Sequence, residues 1–206
     1  MEHDPESTGL PSLADVAGDP WDFLHGARVG ALADALAVRL GWSERRREVL
    51  RLGGAVHDIG KVTISPAVLQ KTGLLSEAEL AEIQRHPSAG VRIVAPFLSL
   101  RAALPCILFH HERWDGDGYP TGRRRTDIPL EARLLAVVDA FDAMISDRPY
   151  RDALSHEEAL DELDEGAGSQ FDPALAEAFV VAWHAGALAP ERATASPTPR
   201  VSTVFA

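Results

Sequence analysis

Histidine and aspartate residues recur along this 206-residue chain in short groups whose side chains suit metal ions. His57 and Asp58 are adjacent, the doublet His110-His111 comes later, and Asp139 lies inside an apolar run. Imidazole nitrogen combined with carboxylate oxygen is typical of hydrolytic sites in which two transition metal ions lie roughly 3.5–4 Å apart. The pattern therefore predicts two divalent ions, iron or manganese in the first place and zinc or cobalt as alternatives, rather than magnesium alone.

Each of these residues also has an ordinary structural interpretation. His57 and Asp58 could form a hydrogen-bonded surface pair, and Asp139 could turn outward or pair with an arginine. One ring of the histidine doublet could face water while the other is buried and satisfied. His25 lies on an apolar stripe and His86 precedes a proline, so a core residue and a helix cap are their simpler interpretations. Their joint placement at helix ends or on inward faces favours a metal centre, because a buried carboxylate must be paired or bound to metal.

Lys61 closely follows the pair His57 and Asp58 in the sequence. It follows His57 and Asp58 at the i+4 and i+3 spacings, which share one side of a helix. Only two of the twenty basic residues are lysines, so its position is noticeable. We expect a phosphate bound at the metal ions to meet its ammonium group.

Composition limits the class of protein. With 46% hydrophobic residues, the chain can bury the core of a single domain. The net charge of -11 argues against sequence-independent binding of nucleic acid, which needs a basic surface. The lone cysteine excludes an internal disulfide, no apolar run reaches the ~18 residues of a membrane span, and no signal peptide opens the chain. We therefore expect a cytoplasmic protein that binds neither membranes nor nucleic acid.

Helical signals position the candidate ligands in the first half of the chain. An apolar stripe predicts a helix over 21–40 that carries His25. A serine cap at residue 43 predicts a second helix running toward His57. Pro87 should break or restart a helix, because the residue before a proline is pushed away from helical backbone angles, and His86 would then stand at a junction.

The second half is also helical. Pro105 should kink a helix over 98–111 that ends in the histidine doublet, and a strongly apolar helix over 129–146 carries Asp139. Two serines each followed three residues later by glutamate, Ser76 and Ser155, predict capping boxes. Since no strand-like alternation of useful length appears, we predict a single all-α bundle of about seven to eight helices.

The ends of the chain differ from its middle. Residues 1–20 and 189–206 are rich in polar residues, proline or glycine without periodicity, which is typical of a flexible arm and a disordered tail. The catalytic domain should therefore occupy 21–188. Within it, the long segment 112–128 should be a loop, and long loops inside compact domains are often functional.

Five segments together resemble the HD-GYP domain, a branch of the HD metal-dependent phosphohydrolases. They are HDIGK (57–61), KTGLLSEAELAEIQRHP (71–87), HHERWDGDGYP (110–120), DAFDAMISDRPYR (139–151) and EGAGSQFDP (165–173). The resemblance spans about 21–182 and implies a helical bundle around a two- or three-metal site that hydrolyses cyclic di-GMP to pGpG and, in some members, to GMP.

The resemblance also implies roles for residues of this chain. The first metal would be held by His25, His57, Asp58 and Asp139, and Asp58 would bridge to a second metal held by His86, His110 and His111. Trp21 stands where members with a third metal have glutamate, so two ions are expected. Lys61 would contact the scissile phosphate and, with Asp58, act in catalysis.

Further positions match residues near the substrate in this family. Arg148 and Arg151 match positions that grip substrate phosphate, and Tyr119 matches a residue beside the substrate. Asp142 belongs to the site region and is expected to contribute to substrate binding.

The pattern leaves alternatives open. Two ions would activate water for attack on phosphorus whatever the base, so another nucleotide such as cyclic GMP-AMP could be the substrate. A signalling module that binds a cyclic dinucleotide or a diguanylate cyclase without turnover is the alternative from another class. All the expected ligand positions are intact, which favours an enzyme. Since this family is commonly fused to sensor or receiver domains, sensor proteins are expected as possible partners.

Overall fold

The computed structural model describes residues 20–147 and 152–188, with side chains from residue 24 onward. In these ranges the chain forms nine α-helices and three 3-10 helices, and its only β-type pairing is one isolated bridge between Ala167 and Phe171. The all-α prediction is confirmed, and eight of the nine α-helices are longer than four residues, which agrees with the predicted number. The flexible segments predicted at 1–20 and 189–206 lie outside the described residues, apart from Pro20.

The α-helices are α1 (Pro20–Arg39), α2 (Glu44–Val56), α3 (Pro66–Leu69), α4 (Glu77–Ile83), α5 (His86–Val94), α6 (Leu104–Phe109), α7 (Leu130–Met144), α8 (His156–Glu165) and α9 (Pro173–His184). The 3-10 helices occupy Ile59–Thr63, Leu98–Ala103 and Arg125–Asp127. No described helix combines the length and the apolarity that crossing a lipid bilayer requires.

The described residues form three hydrophobic clusters, and two of them contact α2. The larger one joins α1, α2, α7, α8 and α9 and includes the fully buried rings of Phe141 and Phe179. A smaller one lies around Ile107, between α5, α6 and the 3-10 helix before α6. Helix α2 contributes to both, since Leu50 belongs to the larger cluster and Val56 packs against the smaller. The end of α2, where His57 and Asp58 follow, therefore lies where the two clusters meet.

Glycines let α1 and α2 approach closely. A Cβ atom on Gly54 would lie 2.4 Å from the Cα atom of Gly30, and one on Gly26 would lie 2.9 Å from the Gly54 carbonyl oxygen. No larger residue fits there without separating the two backbones. This close approach brings His25 on α1 toward His57 at the end of α2.

Helix starts explain the local course of the chain. The capping boxes at Ser76 and Ser155 are both formed, each serine accepting from the backbone N–H three residues later. Ser43 precedes α2 as predicted, although its side chain makes no capping hydrogen bond. Pro87 stands in the first turn of α5, so the chain restarts a helix at His86 as expected.

The kinked helix predicted over 98–111 is wrong. The chain instead forms a 3-10 helix over Leu98–Ala103 and begins a new α-helix at Leu104, with Pro105 in its first turn. Proline fits this position because the first N–H groups of a helix have no intrahelical partner. Pro105 therefore starts the helix that leads to the histidine doublet.

Candidate metal centre

Helix ends and one helix face bring the predicted ligands together. His25 lies on α1 and Asp139 on α7, whereas His57 caps α2 and His86 begins α5. The doublet His110-His111 directly follows α6. Two groups of potential ligand atoms, each within 4.8 Å of one another, are formed by His25, His57 and Asp58 and by Asp58, His86, His110 and His111.

Asp58 is common to both groups. We call His25, His57 and Asp139 the first half-site, and His86, His110 and His111 the second half-site. Asp139 joins the first half-site because its Oδ1 lies 2.9 Å from His25 Nε2 and 3.5 Å from His57 Nε2.

The Asp58 carboxylate faces each half-site with a different oxygen. Its Oδ2 lies 3.2 Å from His57 Nε2, and its Oδ1 lies 3.3 Å from His86 Nε2 and 3.7 Å from His110 Nε2. A carboxylate placed in this way can donate one oxygen to each of two cations. This is the arrangement expected of a bridging ligand.

Backbone carbonyls set the protonation of three of the imidazoles. Nδ1 of His57, His86 and His110 lies 2.8, 2.8 and 2.9 Å from the carbonyl oxygen three residues earlier in the chain. Because a carbonyl oxygen only accepts, each Nδ1 carries a proton and each ring turns its Nε2 toward Asp58. Such bonds fix ring orientation in many metal sites.

His25 is oriented by charge instead. Its Nδ1 donates to Asp142 Oδ2 at 2.7 Å, and Arg28 binds both oxygens of the same carboxylate and the Ser146 hydroxyl. Burial lowers the pKa of His25, but the hydrogen bonds to Asp139 and Asp142 outweigh burial and raise it. Asp142 is 1% exposed, so the structure places it behind His25 rather than on an open surface.

The donor set fits metal ions on its own geometry. Within the described residues, His57 Nε2 and Asp58 Oδ1 are buried without any hydrogen-bond partner. The Nε2 atoms of His86 and His110 lie 3.3 Å apart, although both rings carry their proton on Nδ1. Two lone pairs at this distance repel unless a cation or a proton lies between them. The residues present therefore fit a group of bound cations.

Electrostatics keep the two carboxylates of the site ionised. Burial raises the pKa of Asp58 and Asp139, but the neighbouring groups, His57 first among them, together outweigh burial and hold the pKa of both carboxyls well below its usual range. The same two carboxylates outweigh burial at His57 and raise its pKa well above the usual value. Burial is the main cause that lowers the pKa of His110 and, more strongly, of His111. At neutral pH the carboxylates are anionic and these two imidazoles are neutral.

Lys61 lies against the shared carboxylate. The chain turns into a 3-10 helix after Asp58, and residues three apart are aligned in a 3-10 helix. Lys61 Nζ accordingly donates to Asp58 Oδ2 at 2.5 Å, while 29% of the lysine side chain stays exposed. An ammonium group thus stands between the predicted metal centre and solvent.

Tyr119 stands beside the second half-site. Its ring stacks on His111, with centroids 4.8 Å apart and planes inclined by 27°, and its edge faces His86 at 6.4 Å. Burial is the main cause that raises the pKa of the Tyr119 phenol, so this group stays protonated in the physiological range. The residue predicted beside the substrate therefore also touches a predicted metal ligand.

Two residues near the site escaped the sequence analysis. Glu112, directly after the doublet, is 4% exposed and binds the 112–128 loop, and Arg28 pairs with Asp142. A signal existed for Arg28, which follows His25 by three residues on α1 and so shares its side of the helix. Glu112 lies within the segment HHERWDGDGYP, but its hydrogen-bond partners are identified only by the folded loop.

Some predicted residues cannot be placed. Arg148 and Arg151 lie outside the described residues, and the side chain of Trp21 is not among those described. Their predicted roles therefore stay predictions.

A comparison with known protein families identifies the family of the chain. A family model described as HD domain matches residues 14–175, and the chain belongs to the HD domain family. The family resemblance seen in the sequence is thereby confirmed.

Several curated proteins are similar in sequence. A cyclic di-GMP phosphodiesterase of Thermotoga maritima is 39% identical over 160 residues, which cover 76% of this chain and 43% of that protein. The cyclic di-GMP phosphodiesterase response regulator RpfG of Xanthomonas campestris is 39% identical over 157 residues, 74% of this chain and 41% of that protein. A 3'3'-cGAMP-specific phosphodiesterase of Vibrio cholerae is 34% identical over 161 residues, 77% of this chain and 31% of that protein. The chain thus spans less than half the length of these relatives.

Solved structures share the fold. An HDG"Y"P protein from Bdellovibrio bacteriovorus superposes with a TM-score of 0.64 at 24% identity, over 79% of this chain and 52% of that one. A cyclic GMP-AMP phosphodiesterase of V. cholerae gives a TM-score of 0.60 at 20% identity, over 80% and 44% of the two chains.

Proposed function

We propose that this chain is a metal-dependent phosphodiesterase that hydrolyses cyclic di-GMP to the linear dinucleotide pGpG. The observation that carries the proposal is the shared carboxylate of Asp58, which faces two groups of imidazoles and has a buried, unpartnered oxygen. Relatives at 39% identity that are named cyclic di-GMP phosphodiesterases support the substrate.

The proposed cofactor is a pair of divalent transition metal ions, with iron or manganese favoured by the histidine-rich donor set. His25, His57 and Asp139 would hold one ion, His86, His110 and His111 the other, and Asp58 would contact both. Such a pair supplies an activated water and Lewis-acid stabilisation of the phosphoryl group.

The side chains around the ligands would bind and orient the substrate. Lys61 places an exposed ammonium group beside Asp58, where it would bind a phosphoryl oxygen and neutralise the charge that develops there. The net charge of -11 makes such a local cation necessary for an anionic substrate. Arg148 and Arg151 are proposed to bind the substrate phosphates as well.

Two residues take more specific roles in this proposal. Tyr119, whose ring faces both His86 and His111, would lie at the edge of the bound nucleotide. Asp142 would orient His25 rather than contact the substrate, because both of its oxygens already accept hydrogen bonds from His25 and Arg28.

The test combines elemental analysis of anaerobically purified protein with product analysis on cyclic di-GMP. We expect the unmodified protein to contain two ions per chain and to release a linear product. Asp58→Ala should lose both the two bound ions and the hydrolysis. Asp161→Ala, which removes an exposed carboxylate on α8, is the matched control and should behave as the unmodified protein. Full hydrolysis by Asp58→Ala would contradict the proposal.

A second substrate follows from one comparison. Three relatives of V. cholerae at 34–35% identity are named 3'3'-cGAMP-specific phosphodiesterases. Initial rates on cyclic di-GMP and on 3'3'-cGAMP, measured with the same metal-loaded sample, would decide between the two. Tight binding of either nucleotide without turnover would instead support the signalling module, whose partner would be a diguanylate cyclase or a sensor protein.

A further inference from the structure

Glu112 makes three hydrogen bonds to one side of the 112–128 loop. Its Oε1 accepts from the backbone N–H of Thr121 at 2.7 Å and from the Thr121 hydroxyl at 2.6 Å. Its Oε2 accepts from the backbone N–H of Arg123 at 3.0 Å. The side chain is nearly buried, so these bonds are shielded from water. Glu112 thereby fixes residues 121–123 to the segment that directly follows the histidine doublet.

The same loop is packed against the doublet just before Thr121. The backbone N–H of Tyr119 donates to the His111 carbonyl oxygen at 3.2 Å. Gly118 lies so close that a Cβ atom there would be 2.6 Å from that oxygen and 2.6 Å from the Cα atom of Glu112. The loop therefore returns to its own beginning, and Tyr119 is held between two fixed points.

His111 depends on this loop more than the other ligands do. His57, His86 and His110 are each oriented by a carbonyl oxygen three residues earlier, but among the described residues His111 has no such bond. Its ring instead contacts other rings, and the one that is not itself a predicted ligand is Tyr119. Stacking on Tyr119 is thus the contact outside the half-site that orients the His111 imidazole.

We propose that Glu112 is a positioning residue of the second half-site: it holds the 112–128 loop so that the Tyr119 ring fixes His111 for metal binding. The inference rests on the two-ion site of the proposed function. It assigns the loop a part in assembling the metal centre, in addition to any contact with the nucleotide.

The test measures metal binding without substrate. Protein stripped with a chelator is titrated with Mn²⁺, and the ions bound per chain and their affinities are measured by electron paramagnetic resonance and elemental analysis. Residues that support metal ligands typically contribute about 10- to 100-fold in affinity. We expect Glu112→Ala to weaken the second ion by about this factor and to leave the first ion unchanged.

Matched variants separate this role from general destabilisation. Glu158 on α8 also accepts hydrogen bonds from a backbone N–H and a hydroxyl, both of Ser155. Glu158→Ala should therefore leave the affinities for both ions unchanged.

Variants of the loop test the role of the Tyr119 ring. Tyr119→Phe keeps the ring and should bind two ions as the unmodified protein does, whereas Tyr119→Ala should weaken binding of the second ion. In Glu112→Gln the amide can still accept from Thr121 but opposes the Arg123 N–H, so an intermediate loss is expected. If circular dichroism shows that Glu112→Ala does not fold, the second-ion affinities of Tyr119→Ala and Glu112→Gln test the inference in its place.

Three results would overturn the inference. The first is an unchanged affinity for the second ion in folded Glu112→Ala or Tyr119→Ala, and the second is an equal loss of affinity for both ions. The third is an equal loss of second-ion affinity in Tyr119→Phe and Tyr119→Ala. The outcome is independent of hydrolysis. If the unmodified protein binds two ions but cleaves no cyclic dinucleotide, the proposed function fails while the role of Glu112 is still decided by the titration.

Discussion

The two half-sites are assembled in different ways. The first half-site takes His25 and Asp139 from the long helices α1 and α7, and the buried carboxylate of Asp142, paired with the partly exposed Arg28, orients His25 by charge. The second half-site takes its imidazoles from the ends of the short helices α5 and α6, and carbonyl oxygens and Tyr119 orient them. One half is therefore built into the main core, whereas the other depends on connecting segments.

The difference has consequences for metal binding. The first half-site includes the carboxylate of Asp139 in addition to its share of Asp58, and the second has only its share of Asp58. A divalent cation is attracted more strongly where two anionic ligands converge in a buried site. We therefore expect the first ion to bind more tightly and the second to be lost earlier.

The largest effects should come from removing one ligand of each half. His25→Ala and His86→Ala should each retain a single ion, because neither histidine belongs to the other ligand group. Both should lower kcat for cyclic di-GMP by more than about 100-fold, the upper value for residues that only support a ligand. Metal content and initial rates check this. Loss of both ions in His86→Ala would show that the half-sites are not separable.

Removing the metal ions with a chelator should destabilise the segments around the second half-site more than those around the first. Saturating one site at about 100 times its dissociation constant stabilises a protein by about 2.7 kcal/mol, so metal removal should lower the melting temperature. Hydrogen exchange in the stripped protein should increase most at residues 110–123 and least in the parts of α1 and α7 that belong to the main core. Equal increases in both regions would contradict the comparison.

A smaller effect is expected when the charged support of His25 is weakened. Asp142→Asn keeps the shape of the side chain but opposes its amide to the Arg28 guanidinium or the His25 N–H. The affinity for the first ion should fall by about 10- to 100-fold while the second keeps its value. Mn²⁺ titration measures both. Asp34→Asn, which weakens ion pairs with Arg47 and Arg51 away from the ligands, is the control and should change neither affinity.

The sequence allowed the fold class and most ligand positions to be predicted for reasons that are local. Capping serines, prolines at helix starts and apolar periodicity act within a few residues, so the helices that bear His25 and Asp139 were found. The contact of His25 with Asp142 joins residues 117 positions apart, and the three bonds of Glu112 require the folded loop. The kink expected at Pro105 was wrong because periodicity does not distinguish one bent helix from a 3-10 helix followed by a new α-helix.

The smallest effect should distinguish two capping boxes of the same chemistry. Ser76→Ala and Ser155→Ala each remove a side-chain cap and should each lower the free energy of unfolding by about 1 kcal/mol. Ser76 begins α4, whose last residue, Ile83, accepts the hydrogen bond that orients His86, whereas Ser155 begins α8, which carries no ligand. Fraying of α4 in Ser76→Ala should therefore lower the affinity for the second ion by a few-fold. Ser155→Ala should leave that affinity unchanged. Chemical denaturation and Mn²⁺ titration of the two variants measure this, and equal second-ion affinities would mean that α4 does not help to position the second half-site.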